Sequence, residues 1–199
     1  MKLDWNSNLY LGSEPFLYGR RLFLYSRKLF LYGRKLLKDM GITGKKLNLM
    51  KKYRLLKEDY IKFNGKILYR IQALKNFSNV NKGDLGGYIE SEDNLSHFGT
   101  SWIYHKEAMV FENAAIYEDA KIIEEAIISG NAWIFGNAQV AGRSLIFENA
   151  KIYGDTKVLV GITLSGNVRI CGTTVLVDKL PHLAGDTFIS NYCTRASMP

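Results

Sequence analysis

A six-residue phrase repeats without a break from Ala108 to Leu176 and constrains this chain more than any other feature. An aliphatic residue stands at every sixth position, and a small residue stands two positions before most of these. The aliphatic residues are Val110, Ile116, Ile122, Ile128, Ile134, Val140, Ile146, Ile152, Val158, Leu164, Ile170 and Leu176. So regular a period predicts a repeat architecture in which each unit packs on the next.

Three hexads make a rung of about 18 residues, and stacked rungs make a triangular parallel β-helix. The aliphatic side chains should point inward and stack in three columns, with the small residues where the interior narrows. Stiff β-branched side chains suit such a pleated surface. Pairs such as Gly136-Asn137 and Glu112-Asn113 should turn the corners, because Gly and Asn adopt positive φ at little cost. The predicted fold class is therefore all-β.

One corner brings four asparagines into register, namely Asn113, Asn131, Asn149 and Asn167. Stacked amides at this spacing can hydrogen-bond from rung to rung, as they do in asparagine ladders. The sequence predicts a structural ladder there.

The residues next to the aliphatic positions should point outward, and many of them are aromatic. We expect Tyr117, Trp133, Phe135 and Tyr153 on one face, and Phe111 and Phe147 on another. Continuous exposed apolar stripes usually mark an interface, whereas cross-strand stacking that only stabilises the sheet is the alternative. Both interpretations remain open, with self-association as the favoured form of the first.

Charge is distributed unevenly along the 199 residues. Residues 1–49 and 50–83 each carry a net charge of +7, and residues 84–199 carry −6. The excess positive charge therefore precedes the repeat, and the pI of the whole chain says little about the coil. The basic segment 50–83 makes nucleic acid a possible partner.

The segment before the repeat predicts a β-rich cap over residues 50–88, ahead of a parallel β-helix over 89–177. Two β-rich runs, Lys52–Leu56 and Ile67–Leu74, flank Phe63-Asn64-Gly65, which is a hairpin signal. Ile89, Leu95 and Ile103 are expected as irregular inward positions of a first rung. A cap would cover the open sheet edge at this end of the coil. An irregular tail is predicted for residues 178–199.

The hexads resemble the left-handed parallel β-helix of hexapeptide-repeat proteins. The leader, LYRIQALKNF followed by GDLGGYIESEDNLS and TSWIY, looks like that of small phage- and prophage-encoded members of that family. The resemblance covers about residues 50–176. It implies left-handed coiling, an origin in a phage or mobile element, and a loose description as transferase-like.

Residues 1–49 contain a second repeat, of seven residues, in FLYGRRL, FLYSRKL and FLYGRKL. This period suits neither an amphipathic helix nor a strand. One hypothesis is a segment that binds a membrane surface or nucleic acid through interleaved basic and aromatic residues. The favoured alternative is a translated tandem repeat ahead of a core that begins at Met50.

Hexapeptide-repeat acyltransferases use a histidine as general base between trimer subunits, which makes His97 and His105 the weak catalytic candidates here. The hexads contain no excursion that could enclose an acyl donor, and both histidines are expected in solvated turns. Two cysteines, Cys171 and Cys193, suggest reduced thiols rather than a metal or disulfide framework. No cofactor or metal site is predicted.

The sequence thus favours a non-enzymatic binding or assembly protein that acts through the faces of the coil. It is expected to be a homo-oligomer, with a trimer favoured, in the cytoplasm of a host cell. No apolar stretch is long enough to span a bilayer. One alternative is an acyltransferase. Another is a phage-encoded inhibitor of host defence that binds a host protein or a nucleotide ligand.

Overall fold

A computed structural model of the chain describes residues 51–176 and 182–190. The predictions for residues 1–49, and for most of the tail, lie outside this range. Within it the chain is all-β and contains no helix. Its strands are β1 Tyr53–Phe63, β2 Lys66–Ala73, β3 Leu85–Ile89, β4 Trp102–Ile103, β5 Met109–Val110, β6 Ala115–Ile116, β7 Lys121–Ile122, β8 Ile127–Ile128, β9 Trp133–Ile134, β10 Gln139–Val140, β11 Leu145–Ile146, β12 Lys151–Ile152, β13 Lys157–Val158, β14 Thr163–Leu164, β15 Arg169–Cys171, β16 Val175–Leu176, β17 His182–Leu183 and β18 Phe188–Ser190.

These strands form a parallel β-solenoid of about five turns. Its three sheets have the orders β1-β2-β3-β5-β8-β11-β14-β17, β18-β15-β12-β9-β6 and β16-β13-β10-β7-β4. We call them sheets A, B and C. Val110 pairs with Ile128, which pairs in turn with Ile146, so the predicted column of inward side chains is confirmed.

The core fills the inside of this coil. The inward aliphatic residues from Val110 to Ile170 are fully buried, and so are the small residues from Ala108 to Ala138. Where the small-residue position carries a hydroxyl, the hydroxyl is satisfied locally: Ser144 Oγ donates to the carbonyls of Ala141 and Val160 at 2.7 and 2.8 Å. The small-residue positions therefore stay buried even where they carry a polar group.

The predicted irregular first rung is confirmed. Ile89 pairs with Val110, Leu95 with Ile116 and Ile103 with Ile122. All three residues of the first rung are fully buried.

The predicted hairpin is also confirmed. β1 and β2 pair antiparallel around Asn64-Gly65, and both turn residues have positive φ, 47° and 73°, as a tight hairpin turn requires. β2 then pairs antiparallel with β3, so the hairpin extends sheet A beyond the first rung. The register of β1 against β2 shifts between Leu56 and Tyr60.

Two features hold the corners of the solenoid. The predicted asparagine ladder is present, because Asn113 donates to Asn131, Asn131 to Asn149 and Asn149 to Asn167, at 3.1 to 3.2 Å. In addition, four glutamates occupy left-handed corner positions with φ of 56° to 59°: Glu112, Glu118, Glu124 and Glu148. Each carboxylate accepts the backbone N–H of a glycine on the next rung.

Candidate binding surfaces

The outer face of sheet A carries apolar side chains along several rungs. We define the uncharged face as the outward residues of β5, β8, β11 and β14 and those that follow each strand: Met109, Phe111, Ile127, Ser129, Leu145, Phe147, Thr163 and Ser165. None of these side chains is charged. Leu145 is 41% exposed, and Met109, Ile127 and Phe147 are partly exposed.

The prediction that Phe111 is exposed is wrong. Phe111 lies 3% exposed in a small cluster with Leu68 and Tyr88, against Ile61 and Phe63 of the hairpin. Its ring meets the Phe63 ring edge-on, with centroids 5.7 Å apart. The hairpin thus covers the uncharged face at Phe111, whereas Leu145 two rungs further along is exposed.

The aromatic row on sheet B packs more closely than a free stripe would. Tyr117 meets Trp133 edge-on at 5.9 Å, and Phe135 stacks on Tyr153 at 4.9 Å with the rings nearly parallel. Tyr117, Trp133 and Phe135 are each 8% exposed, so their predicted exposure is wrong, whereas Tyr153 is partly exposed. Stacking between rungs buries the ring faces and stabilises the sheet.

The other two outer faces carry charge. On sheet B the outward residues include Lys151, whose ammonium lies 5.9 Å from the Trp133 ring centroid, and Arg169. On sheet C they include Lys121 and Lys157. Among the rungs that the structure describes, the uncharged face from β5 to β14 therefore differs from the other two faces in its lack of charge.

His97, the first catalytic candidate, is held by contacts with Tyr53 and Lys52. Its ring stacks on Tyr53 with centroids 4.3 Å apart, and its Nδ1 accepts the backbone N–H of Lys52 at 3.4 Å. That contact assigns the proton of the neutral ring to Nε2, which is buried and lies 3.6 Å from a Glu92 carboxylate oxygen. The lone pair that a general base would use is thus occupied, and the arrangement favours a structural role.

The groups around His97 have shifted pKa values. Glu92 interacts with His97 and with the Lys51 ammonium at 2.6 Å. His97 first, and then Lys51, lower the pKa of Glu92 to about 2, against the opposing effect of burial. Burial lowers the pKa of Lys52 to about 7, although the charge of Asp119 opposes this shift.

No pattern in the sequence indicates that Lys52 is buried. Its ammonium donates to the carbonyl of Ser101 at 2.7 Å, the hydroxyl of Ser101 at 3.1 Å and the carbonyl of Gly99 at 3.4 Å. Nearby, Tyr53 donates its hydroxyl to the carbonyl of Leu95 at 2.7 Å. These contacts fasten the start of the hairpin to the first rung.

His105, the second catalytic candidate, caps a corner. Its Nδ1 accepts the backbone N–H of Glu124 at 2.7 Å. Glu124 in turn accepts the N–H of Gly142 from the following rung. His105 thus does at the first rung what the corner glutamates do later, and it lies apart in the fold from the contacts of His97.

Glu90, which directly follows β3, makes its contacts within the protein. Glu90 pairs with Lys66 at 3.0 Å and accepts the backbone N–H of Glu112 at 2.8 Å.

Within residues 51–176 and 182–190, no group of three or more His, Cys, Asp or Glu side chains is arranged to hold a metal ion. Cys171 is a buried free thiol there. No helix among these residues is long and apolar enough to cross a membrane.

No protein-family model matches this sequence, and no relative is found among curated proteins. The architecture therefore rests on the hexad period and on the structure. The resemblance of the leader to phage-encoded proteins, and left-handed coiling with it, stay predictions.

Proposed function

We propose that this protein is a non-enzymatic binding and assembly module that self-associates through the uncharged face of sheet A. The observation that carries the proposal is the row of apolar side chains around Leu145 and Phe147, which no charged residue interrupts from β5 to β14. Apolar surface of this kind favours a protein interface.

A second copy of the same chain is the partner that this surface suits best. When identical subunits associate, residues near the symmetry axis face their own counterparts. A charged face would then bring like charges together, whereas an uncharged face avoids that cost. The outward lysines of sheet C, Lys121 and Lys157, make that sheet a poorer candidate.

The solenoid also favours association because it presents the face ready-made. Leu145 and Phe147 flank Ile146, which is fixed in the core and paired with Ile128 and Leu164. Little conformational entropy should be lost when such a surface is covered. The resemblance to hexapeptide-repeat proteins favours a trimer as the form of the oligomer.

Light scattering on the full chain tests the proposal, with Leu145→Glu as the disrupting variant. We expect an oligomer for the unmodified chain and a monomer for the variant, because a buried unpaired carboxylate would oppose association. Leu159→Glu is the matched control, since Leu159 is 44% exposed but lies on sheet C. It should remain oligomeric.

Three results would contradict the proposal. The unmodified chain could be a monomer over the whole concentration range. Leu145→Glu could leave the oligomer intact, which would place any association elsewhere. Both variants could dissociate it equally, which would remove the distinction between the two faces. Circular dichroism of each variant establishes that the coil remains folded.

A further inference from the structure

The hairpin carries several cations that no carboxylate of the described residues pairs with. In segment 51–83, Lys52 is buried, and Lys51, Lys66 and Arg70 pair with Glu92, Glu90 and Asp59. The remaining cations form no ion pair with any carboxylate in the described ranges. They are Arg54, Lys57, Lys62, Lys75 and Lys82. Glu58 is the one acidic residue of the segment that takes no part in these pairs.

Part of this charge lies on one face of the hairpin together with two tyrosines. Tyr60 pairs with Tyr69, and Lys62 with Ile67. Paired residues of an antiparallel ladder share a face, and alternate residues of one strand do so too. The Lys57 ammonium lies 3.5 Å from the Tyr69 ring centroid, which adds a second cation. We call these five residues the tip face.

The tip face is open although its continuation is buried. Ile71, two residues beyond Tyr69 on the same side of β2, is fully buried in the core. Tyr60 and Ile67, in contrast, are 51% and 43% exposed. The carboxylate of Asp59 turns elsewhere, where it accepts the Tyr88 hydroxyl at 2.7 Å and pairs with Arg70.

We propose that the tip face binds single-stranded nucleic acid without sequence preference. Exposed aromatic rings next to lysines are the chemistry that such ligands require, since bases stack on the rings and phosphates contact the cations. Tyr60 is the exposed platform for a base, and the centroid of the Tyr69 ring, with Lys57 over it, lies 6.5 Å away. A duplex would match the lysines but not the tyrosines, because its base faces are already stacked.

Fluorescence anisotropy of a labelled oligo-dT strand with the full chain provides the test. Tyr60→Ala should raise the Kd about 5- to 150-fold, the range that one stacked base represents. Tyr60→Phe should keep most of the affinity, because it retains the ring. Lys62→Gln should reduce the slope of log K against log salt by about 0.7, the value for one phosphate contact with a single strand.

Matched controls separate the tip face from general attraction between a basic chain and a polyanion. Phe98→Ala removes an aromatic ring that is 46% exposed outside the hairpin, and Lys157→Gln removes a lysine of sheet C. Both should bind as the unmodified chain does. Residues 1–49 are present in every variant, so their charge is constant across the series.

The proposal fails if Tyr60→Ala binds oligo-dT as tightly as the unmodified chain. It fails equally if Phe98→Ala loses as much affinity, or if a duplex of the same length binds as well and with the same dependence on Tyr60. Binding to phosphatidylserine vesicles but not to oligo-dT would assign the surface to a membrane instead. These outcomes are independent of self-association, which the Leu145 variants test.

Discussion

The carboxylate of Glu118 accepts a hydrogen bond from the backbone N–H of Gly136, one rung further along the solenoid, at 2.8 Å. Glu118 itself has a φ of 56°, a conformation that costs a residue with a Cβ about 1–2 kcal/mol. The side chain thus links two rungs from a corner that its own backbone finds unfavourable.

This geometry predicts that Glu118→Ala is more destabilising than Glu118→Gly. Both variants lose the hydrogen bond, which we expect to contribute about 1 kcal/mol, but glycine also relieves the backbone strain. In urea unfolding, the free energy of unfolding of Glu118→Gly should be close to that of the unmodified chain. That of Glu118→Ala should be about 1 kcal/mol lower than that of the unmodified chain. Equal losses would mean that strain is not stored at this corner.

Glu125→Ala is the control for that comparison. Glu125 contacts the exposed Arg143 side chain at 2.9 Å, and such surface pairs contribute little. Its free energy of unfolding should change by less than about 0.5 kcal/mol.

The asparagine ladder predicts a difference between its middle and its end. Asn131 accepts from Asn113 and donates to Asn149, whereas Asn113 only donates along the ladder. Asn131→Ala should therefore cost about twice as much as Asn113→Ala, roughly 1 against 0.5 kcal/mol for these exposed bonds. Thermal or urea unfolding measures both. An equal or larger effect at Asn113 would contradict this dependence on the number of ladder bonds.

The sequence predicts the repeating part of this molecule well, because periodicity determines which side chains point inward. The columns from Val110 to Ile170, the Asn113 ladder and the Asn64-Gly65 turn all follow from spacing and residue type. Even the irregular first rung at Leu95 is predictable, because an isolated aliphatic residue in a polar stretch is expected to be buried in the core.

The sequence is a poorer guide to what covers the outside of the coil. Periodicity places Phe111 outward but does not show that a hairpin 48 residues earlier, at Phe63, packs over it. It also places Trp133 and Tyr117 outward without showing that they shield each other. From the sequence alone, Lys52 is expected at the surface. In the structure, long-range pairing brings Ser101 beside its ammonium.

Gly87 of the leader predicts a large effect of a small substitution. A Cβ on Gly87 would lie 2.5 Å from both the carbonyl oxygen of Ala108 and Cγ2 of Ile103, so backbone would have to move. Gly87→Ala should destabilise the protein by about 1–3 kcal/mol or more. The control is Gly161→Ala, where the nearest atoms are 3.5 Å away and φ is ordinary. Similar unfolding midpoints for the two would contradict the close approach.

The buried Lys52 predicts stability that rises in alkaline solution. Its pKa is about 7 in the folded chain, against 10.5 as the ordinary value, so the folded state binds fewer protons between these two pH values. Stability must then increase with pH in that window. Urea unfolding of the unmodified chain should show the rise from pH 7 to pH 9.5, and Lys52→Met should lack it. Lys51→Met should retain it, and a rise in Lys52→Met would exclude this origin.

The Glu92 carboxylate predicts a loss of stability in acidic solution. Its pKa falls from 4.5 to about 2 on folding, so the carboxylate stabilises the folded chain fully above pH 4.5, and this stabilisation is lost as the pH falls toward 2. Glu92→Gln should be less stable than the unmodified chain at pH 7, and the two should converge near pH 2. Glu58→Gln, which removes an exposed carboxylate of the hairpin bulge, should follow the unmodified chain throughout. Urea midpoints between pH 2 and pH 7 measure all three. A gap between Glu92→Gln and the unmodified chain that stays constant down to pH 2 would show that shape rather than charge at Glu92 holds His97 and Lys51 in place.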